Sequence, residues 1–176
     1  MEDVHELSLT IVSSELGKRC IDNVQEALDE YMHGEVVELR EPCAHCGLRN
    51  GRYRLGRSCS LTPDVLLVCL KRWELIFVDG VLQEERCLNH DVRASDPLVH
   101  GGQTYRLCSS VLHLGSNPNS GHYVAVARHE TTSGSWWLYD DQLERWLAST
   151  EQVEATGRYA KCNRKMKSYL LFYEKT

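Results

Sequence analysis

Residues 120–142 read SGHYVAVARHETTSGSWWLYDDQ: a histidine stands just before one apolar run, and a pair of aspartates closes the next. An imidazole titrates near neutrality, and a carboxylate bonded to one ring nitrogen fixes its tautomer and stabilises the protonated ring. Such a pair takes a proton from a nucleophile. His122 is therefore a candidate general base, Asp140 its orienting group, and Asp141 a further polar neighbour. Taken as isolated residues, a strand-end histidine and a turn aspartate also meet by chance, because polar residues gather at strand ends. A second constellation is EPCAHCG at 41–47, where Cys43 and Cys46 have the spacing of a zinc knuckle and Gly47 permits its tight turn. A structural zinc takes four ligands, normally from two such pairs, and the sequence holds no second CxxC. His45 and Cys59 are conceivable substitutes, though nothing in their spacing recommends them. Cys43 and Cys46 are thus half a site, and a structural zinc is expected only where another pair is supplied.

The elements that must position these groups follow from periodicity and punctuation. DNVQEALDEYMHG places Asp22 as the expected N-cap, Val24, Ala27, Leu28, Tyr31 and Met32 at helical spacing, and Gly34 as the stop. After it, Pro and Gly divide short runs rich in β-branched and aromatic residues. Strands are expected over 36–39, 53–55, 65–71, 75–77, 82–87, 104–114, 123–128, 136–139 and 168–174. Asp79-Gly80 is a tight-turn dipeptide between two of them. The fold class expected is α+β, mainly antiparallel sheet. If 123–128 and 136–139 form a hairpin centred near Thr131, Val124 meets Leu138, Val126 meets Trp136, Ala125 meets Trp137 and Tyr123 meets Tyr139. That register sets His122 directly opposite Asp140, with Cβ atoms about 5 Å apart.

Composition narrows the function classes. A chain of 176 residues suits one domain with a real core. No apolar run approaches the length of a membrane helix, and the acidic start MEDVHELSLT is unlike a secretory signal. The net charge of −5 argues against a nucleic-acid partner. Eight cysteines without an export signal point to thiol chemistry or metal binding in cytoplasm or nucleus, not to a disulfide framework. The basic run KCNRKMK at 161–167 reads as a solvated loop.

The 120–142 stretch resembles the histidine box of the ubiquitin-specific proteases, a papain-like cysteine protease family. CAHCG at 43–47 followed by LTPDVLLVCLKRW at 61–73, and the close YLLFYEK at 169–175, are similar to that family in the same order. The resemblance covers most of the chain from about Leu7 onward. It implies the C-terminal portion of that fold, with part of its zinc-ribbon fingers region. His122 would then be the general base, Asp140 its orienter and Asp141 an additional polar position. Gly121 and Tyr123 would flank the channel for the tail of ubiquitin, where a missing Cβ lets substrate backbone approach. LGSNPNS at 114–120 resembles the loop that covers this channel; it reads equally as a plain hairpin loop.

The family's cysteine box is not found in residues 1–176. Cys20 stands near the helix start but lacks the flanking pattern, and Asp22 and Glu26 would raise its pKa. Cys59, Cys69, Cys87 and Cys108 read as small buried hydrophobes. The whole chain is therefore expected to be the C-terminal part of a protease domain whose nucleophilic cysteine lies upstream. The chain alone is then inactive, needs the missing N-terminal half, and has ubiquitin or a ubiquitinated protein as partner. No cofactor is expected for catalysis, and no membrane or nucleic-acid partner. The alternative is a non-catalytic ubiquitin-binding or scaffold module derived from such a protease.

Overall fold

The computed structural model describes residues 5–13, 19–38, 41–47, 49, 51–58, 62–117, 120–128, 136–141, 143–147 and 166–176. The helix α1 (Val24–His33) buries Val24, Ala27 and Leu28, the face its spacing predicts. Its cap lies one residue later than expected. The Asn23 side chain, not that of Asp22, accepts the Glu26 amide at 2.8 Å. Asp22 instead accepts from Arg93 at 3.2 Å and from the Asn23 amide, which together hold its carboxyl below the usual range. Gly34 ends the helix at φ 80°, where a Cβ would fall 1.7 Å from the Leu55 carbonyl oxygen.

The main sheet comprises β1 (His5–Thr10), β4 (Val65–Lys71), β7 (Leu98–His100), β8 (Gln103–Asn117), β9 (Ser120–Arg128), β10 (Trp136–Asp140), β11 (Leu143–Leu147) and β12 (Lys167–Lys175). Its order is β1-β4-β12-β8-β9-β10-β11, with β7 beside β8. Every pair is antiparallel except β1 with β4, which run parallel. The fold class is α+β with a mainly antiparallel sheet, as expected. Three strands, β1, β7 and β11, lie where the sequence suggested none.

Among the described residues there are also two separate ribbons: β2 (Glu35–Glu38) with β3 (Arg52–Leu55), and β5 (Trp73–Val78) with β6 (Val81–Cys87). The second closes at Asp79-Gly80, both at positive φ (51° and 78°), as a primed hairpin turn demands.

One face of the sheet and α1 enclose the core. Leu66, Val68 and Leu70 alternate inward along β4, and Leu171 and Tyr173 along β12. They meet Leu9, Val24, Leu28, Leu107, Val124, Val126, Trp136 and Leu138, all almost wholly buried. Arg72, between β4 and β5, is buried with them. Its guanidinium donates to the Ser168 carbonyl at 2.5 Å and to the Leu88 and His90 carbonyls at 3.1 Å each. Burial lowers its pKa to about 10, so it stays charged at neutral pH.

Candidate active site

β9 and β10 lie in the interior of the strand order, each paired on both sides. Their register differs from expectation by two residues: Leu138 faces Val126, Trp137 faces Ala127, and Tyr139 faces Ala125. A two-residue slip keeps every side chain on its expected face, since the pleat repeats every two residues. The small-against-large pairing is also kept, with Ala127 taking the place of Ala125 opposite Trp137. The connection near Thr131 lies outside the described residues.

In this register His122 and Asp140 are diagonal neighbours across the hairpin, not a directly opposed pair. Diagonal positions lie within reach of long and aromatic side chains. The imidazole spans the gap, and His122 Nε2 is hydrogen-bonded to Asp140 Oδ1. Both side chains remain partly exposed, at 39% and 28%. A carboxylate is an acceptor, so Nε2 carries the ring proton when the imidazole is neutral, leaving the lone pair on Nδ1. Asp141 follows at a positive φ of 51°, and its carboxylate joins the other two groups within 4.8 Å.

Gly121 has a requirement internal to the chain. At its φ of 156°, a Cβ would fall 2.3 Å from His113 Nε2 and 2.7 Å from the Leu114 carbonyl oxygen. Gly115 is closed in the same way, with a Cβ 2.8 Å from His113 Cε1. The His113 ring thus fills the space beneath the strand that carries His122. It also meets Trp73 edge-on at 5.8 Å and the Tyr123 ring at 4.6 Å. Tyr123 itself is 45% exposed, so ordinary sheet packing does not account for all of its surface.

His113 is buried, and its Nε2 makes no hydrogen bond. Burial and the Arg72 charge lower its pKa, outweighing the Ser120 carbonyl beside it. A lone histidine within a long apolar strand has no local signature that separates wedge from ligand. Arg72 lies in the LTPDVLLVCLKRW stretch just past β4, and no local signal marks its burial.

Among the described residues no thiol joins the His122, Asp140 and Asp141 group. Cys20 is exposed. Burial pushes the Cys69, Cys87 and Cys108 thiols up, and these three are partly buried, as small hydrophobes would be. Cys59 and the 161–165 part of the basic run lie outside the described residues.

The Cys43–Gly47 turn has the knuckle form. Gly47 N–H donates to the Cys43 carbonyl at 2.8 Å, with Gly47 at φ 71°. The amides of Cys46 and His45 and the Cys46 thiol hold Cys43 below the ordinary thiol pKa. No third His, Cys, Asp or Glu donor closes on this pair among the described residues. The fit to zinc is that of two ligands out of four.

Residues 2–173 match the family model described as ubiquitin carboxyl-terminal hydrolase. The chain is 31% identical over 153 residues to ubiquitin carboxyl-terminal hydrolase 26 of Oryza sativa subsp. japonica, covering 81% of this chain and 13% of that protein. It is 33% identical over 164 residues to hydrolase 13 of Saccharomyces cerevisiae, covering 86% of this chain and 20% of that protein. A chain of the SAGA DUB module Ubp8/Sgf11/Sus1/Sgf73, solved bound to monoubiquitin, superposes with a TM-score of 0.66 at 23% identity. That match covers 98% of this chain and 35% of the solved one. The chain therefore corresponds to a part of each of these proteins.

Proposed function

The chain belongs to the ubiquitin carboxyl-terminal hydrolase family and has the fold of its ubiquitin-specific proteases, and from that premise we propose that it supplies the base side of a deubiquitinating active site. The reaction is thiol-dependent hydrolysis of the isopeptide or peptide bond after the terminal glycine of ubiquitin. One observation carries this reading: the His122–Asp140 hydrogen bond at the shared end of two interior strands.

With Nε2 committed to Asp140, the incoming thiol must present its proton to Nδ1. The thiolate attacks the glycine carbonyl carbon, and the leaving amine takes the proton back from the imidazolium. A thioester remains, which water opens with Nδ1 as base. Asp140 keeps the ring in the competent tautomer throughout. Asp141, an acceptor beside the pair, would orient the water that opens the thioester, and Gly121 and Tyr123 would border the approach of the ubiquitin tail. The nucleophilic cysteine comes from a segment preceding this part of the domain, and the partner CxxC of the Cys43–Cys46 knuckle comes from there too.

A second reading is a ubiquitin-binding module without catalysis. It is favoured by the lack of a described thiol beside His122. A chimera separates the two: this chain replaces the matching stretch of the yeast hydrolase 13, and release of a fluorophore from the ubiquitin C-terminus is followed. Turnover is expected, falling by about 10³-fold or more in His122→Ala and by a comparable factor in Asp140→Asn. A folded chimera that binds ubiquitin but is indifferent to His122→Ala would establish the binding module. Labelling of the isolated chain by a thiol-reactive ubiquitin probe would overturn the external nucleophile.

A further inference from the structure

The ends of β9 and β10 gather three metal-ligating side chains of two kinds. One ring nitrogen of His122 and one carboxylate oxygen from each of Asp140 and Asp141 lie within 4.8 Å of one another. Among the described residues no other three His, Cys, Asp or Glu side chains converge so closely. The imidazole distinguishes this cluster from an acidic patch. Oxygen-only sites suit magnesium and calcium, whereas one imidazole with two carboxylates is a donor set for zinc-like ions. Two carboxylates and a neutral ring present a charge of −2 to a dication. Ligands at about 2.0–2.2 Å from zinc stand roughly 3.3 Å from one another around a tetrahedron. The His122–Asp140 contact would open slightly to admit the ion, and the Asp141 carboxylate would close in. Two of the side chains are partly exposed and Asp141 is exposed, which permits these movements and leaves the fourth position to water.

We propose that His122, Asp140 and Asp141 form a binding site for a divalent zinc-like ion, which takes the place of the proton shared between His122 and Asp140. The metal bonds to Nε2, and the proton that leaves Nε2 is taken up, through solvent, at Nδ1. The ring then lacks the lone pair that would receive a thiol proton. Occupancy of the site silences the base without touching the thiol. The site rests on donor geometry alone, and only this consequence rests on the hydrolase reading.

The test uses the full chain carrying Cys43→Ser and Cys46→Ser, which removes the knuckle thiols. Zinc is titrated by calorimetry, and the ring nitrogens of ¹⁵N-labelled histidines are followed by NMR. One equivalent is expected to bind and to shift the His122 Nε2 resonance while moving the ring proton to Nδ1. Asp141→Asn should weaken binding about 10-fold and His122→Ala at least 100-fold, with unchanged circular dichroism. Equal affinity in parent and His122→Ala, or His122 ring signals unmoved at saturation, would overturn the proposal. A chimera without turnover whose His122 still shifts with zinc would remove the hydrolase reading and keep the site. An active chimera with an unresponsive His122 would do the reverse.

Discussion

His113 and His122 lie on neighbouring strands and meet opposite surroundings. His122 sits at a partly exposed strand end against a carboxylate, whereas His113 is closed in by Gly115, Gly121, Trp73 and Tyr123 with its Nε2 unbonded. Burial and the Arg72 charge lower the pKa of His113, and the same two causes lower that of His90. The folded pKa of each therefore lies below the unfolded value near 6.5. Around pH 6 the unfolded chain binds more protons, so stability is complete above about pH 6.5 and declines as pH falls through the folded pKa. Urea unfolding at pH 7.5, 6.5 and 5.5 should show this decline, and His113→Asn should shallow it by removing one titrating ring. An equal slope in the variant would mean that His113 is protonated in the fold. The His122–Asp140 pair was legible in the sequence because polar residues at both ends of apolar runs stand out. His113 was not, because nothing local marks which way a strand histidine faces.

At the scale of elements, alternation identified which side chains of β9 and β10 share a face, but it left open how far the strands slide. Val124, Val126, Trp136 and Leu138 turn inward in the expected and in the observed register alike. Only the connection distinguishes the two. Two of the three unexpected strands have a local cause: β7 is three residues long, and β11 carries Glu144 and Arg145 at its centre. The irregular 88–90 segment after β6 is held to β12 by Arg72, whose guanidinium spans the two. Beside it, Lys167 pairs with Asp91 at 2.5 Å, and His90 donates to the Ile21 carbonyl at 3.1 Å. Arg72→Met would strip three carbonyls of their donor in a buried place. A loss of about 3–5 kcal/mol in urea unfolding is expected. Arg72→Lys should recover only part of it, since an ammonium lacks the planar fork.

Across the whole molecule, β12 joins what the sequence keeps apart. It pairs with β4 on one side and β8 on the other, so it links β1 and β4 to the run from β8 to β11. Leu171 and Tyr173 contribute two of its buried side chains. A chain ending at residue 165 would leave β4 and β8 with facing unpaired edges. Such a chain is expected to lose cooperative unfolding, and amide exchange in β4 should become as fast as in an unfolded peptide. Protection retained in β4 would mean that the first strands and α1 form an independent unit.

Closure of this sheet in a growing polypeptide therefore waits for β12, which follows its other strands in chain order. The strand that bears His122 and the one that bears Asp140 emerge well before the piece that locks their scaffold to β4. Until β12 arrives, β4 and β8 display open backbone to whatever else is nearby, and a ribosome-bound intermediate of this kind invites chaperone capture or edge-to-edge aggregation.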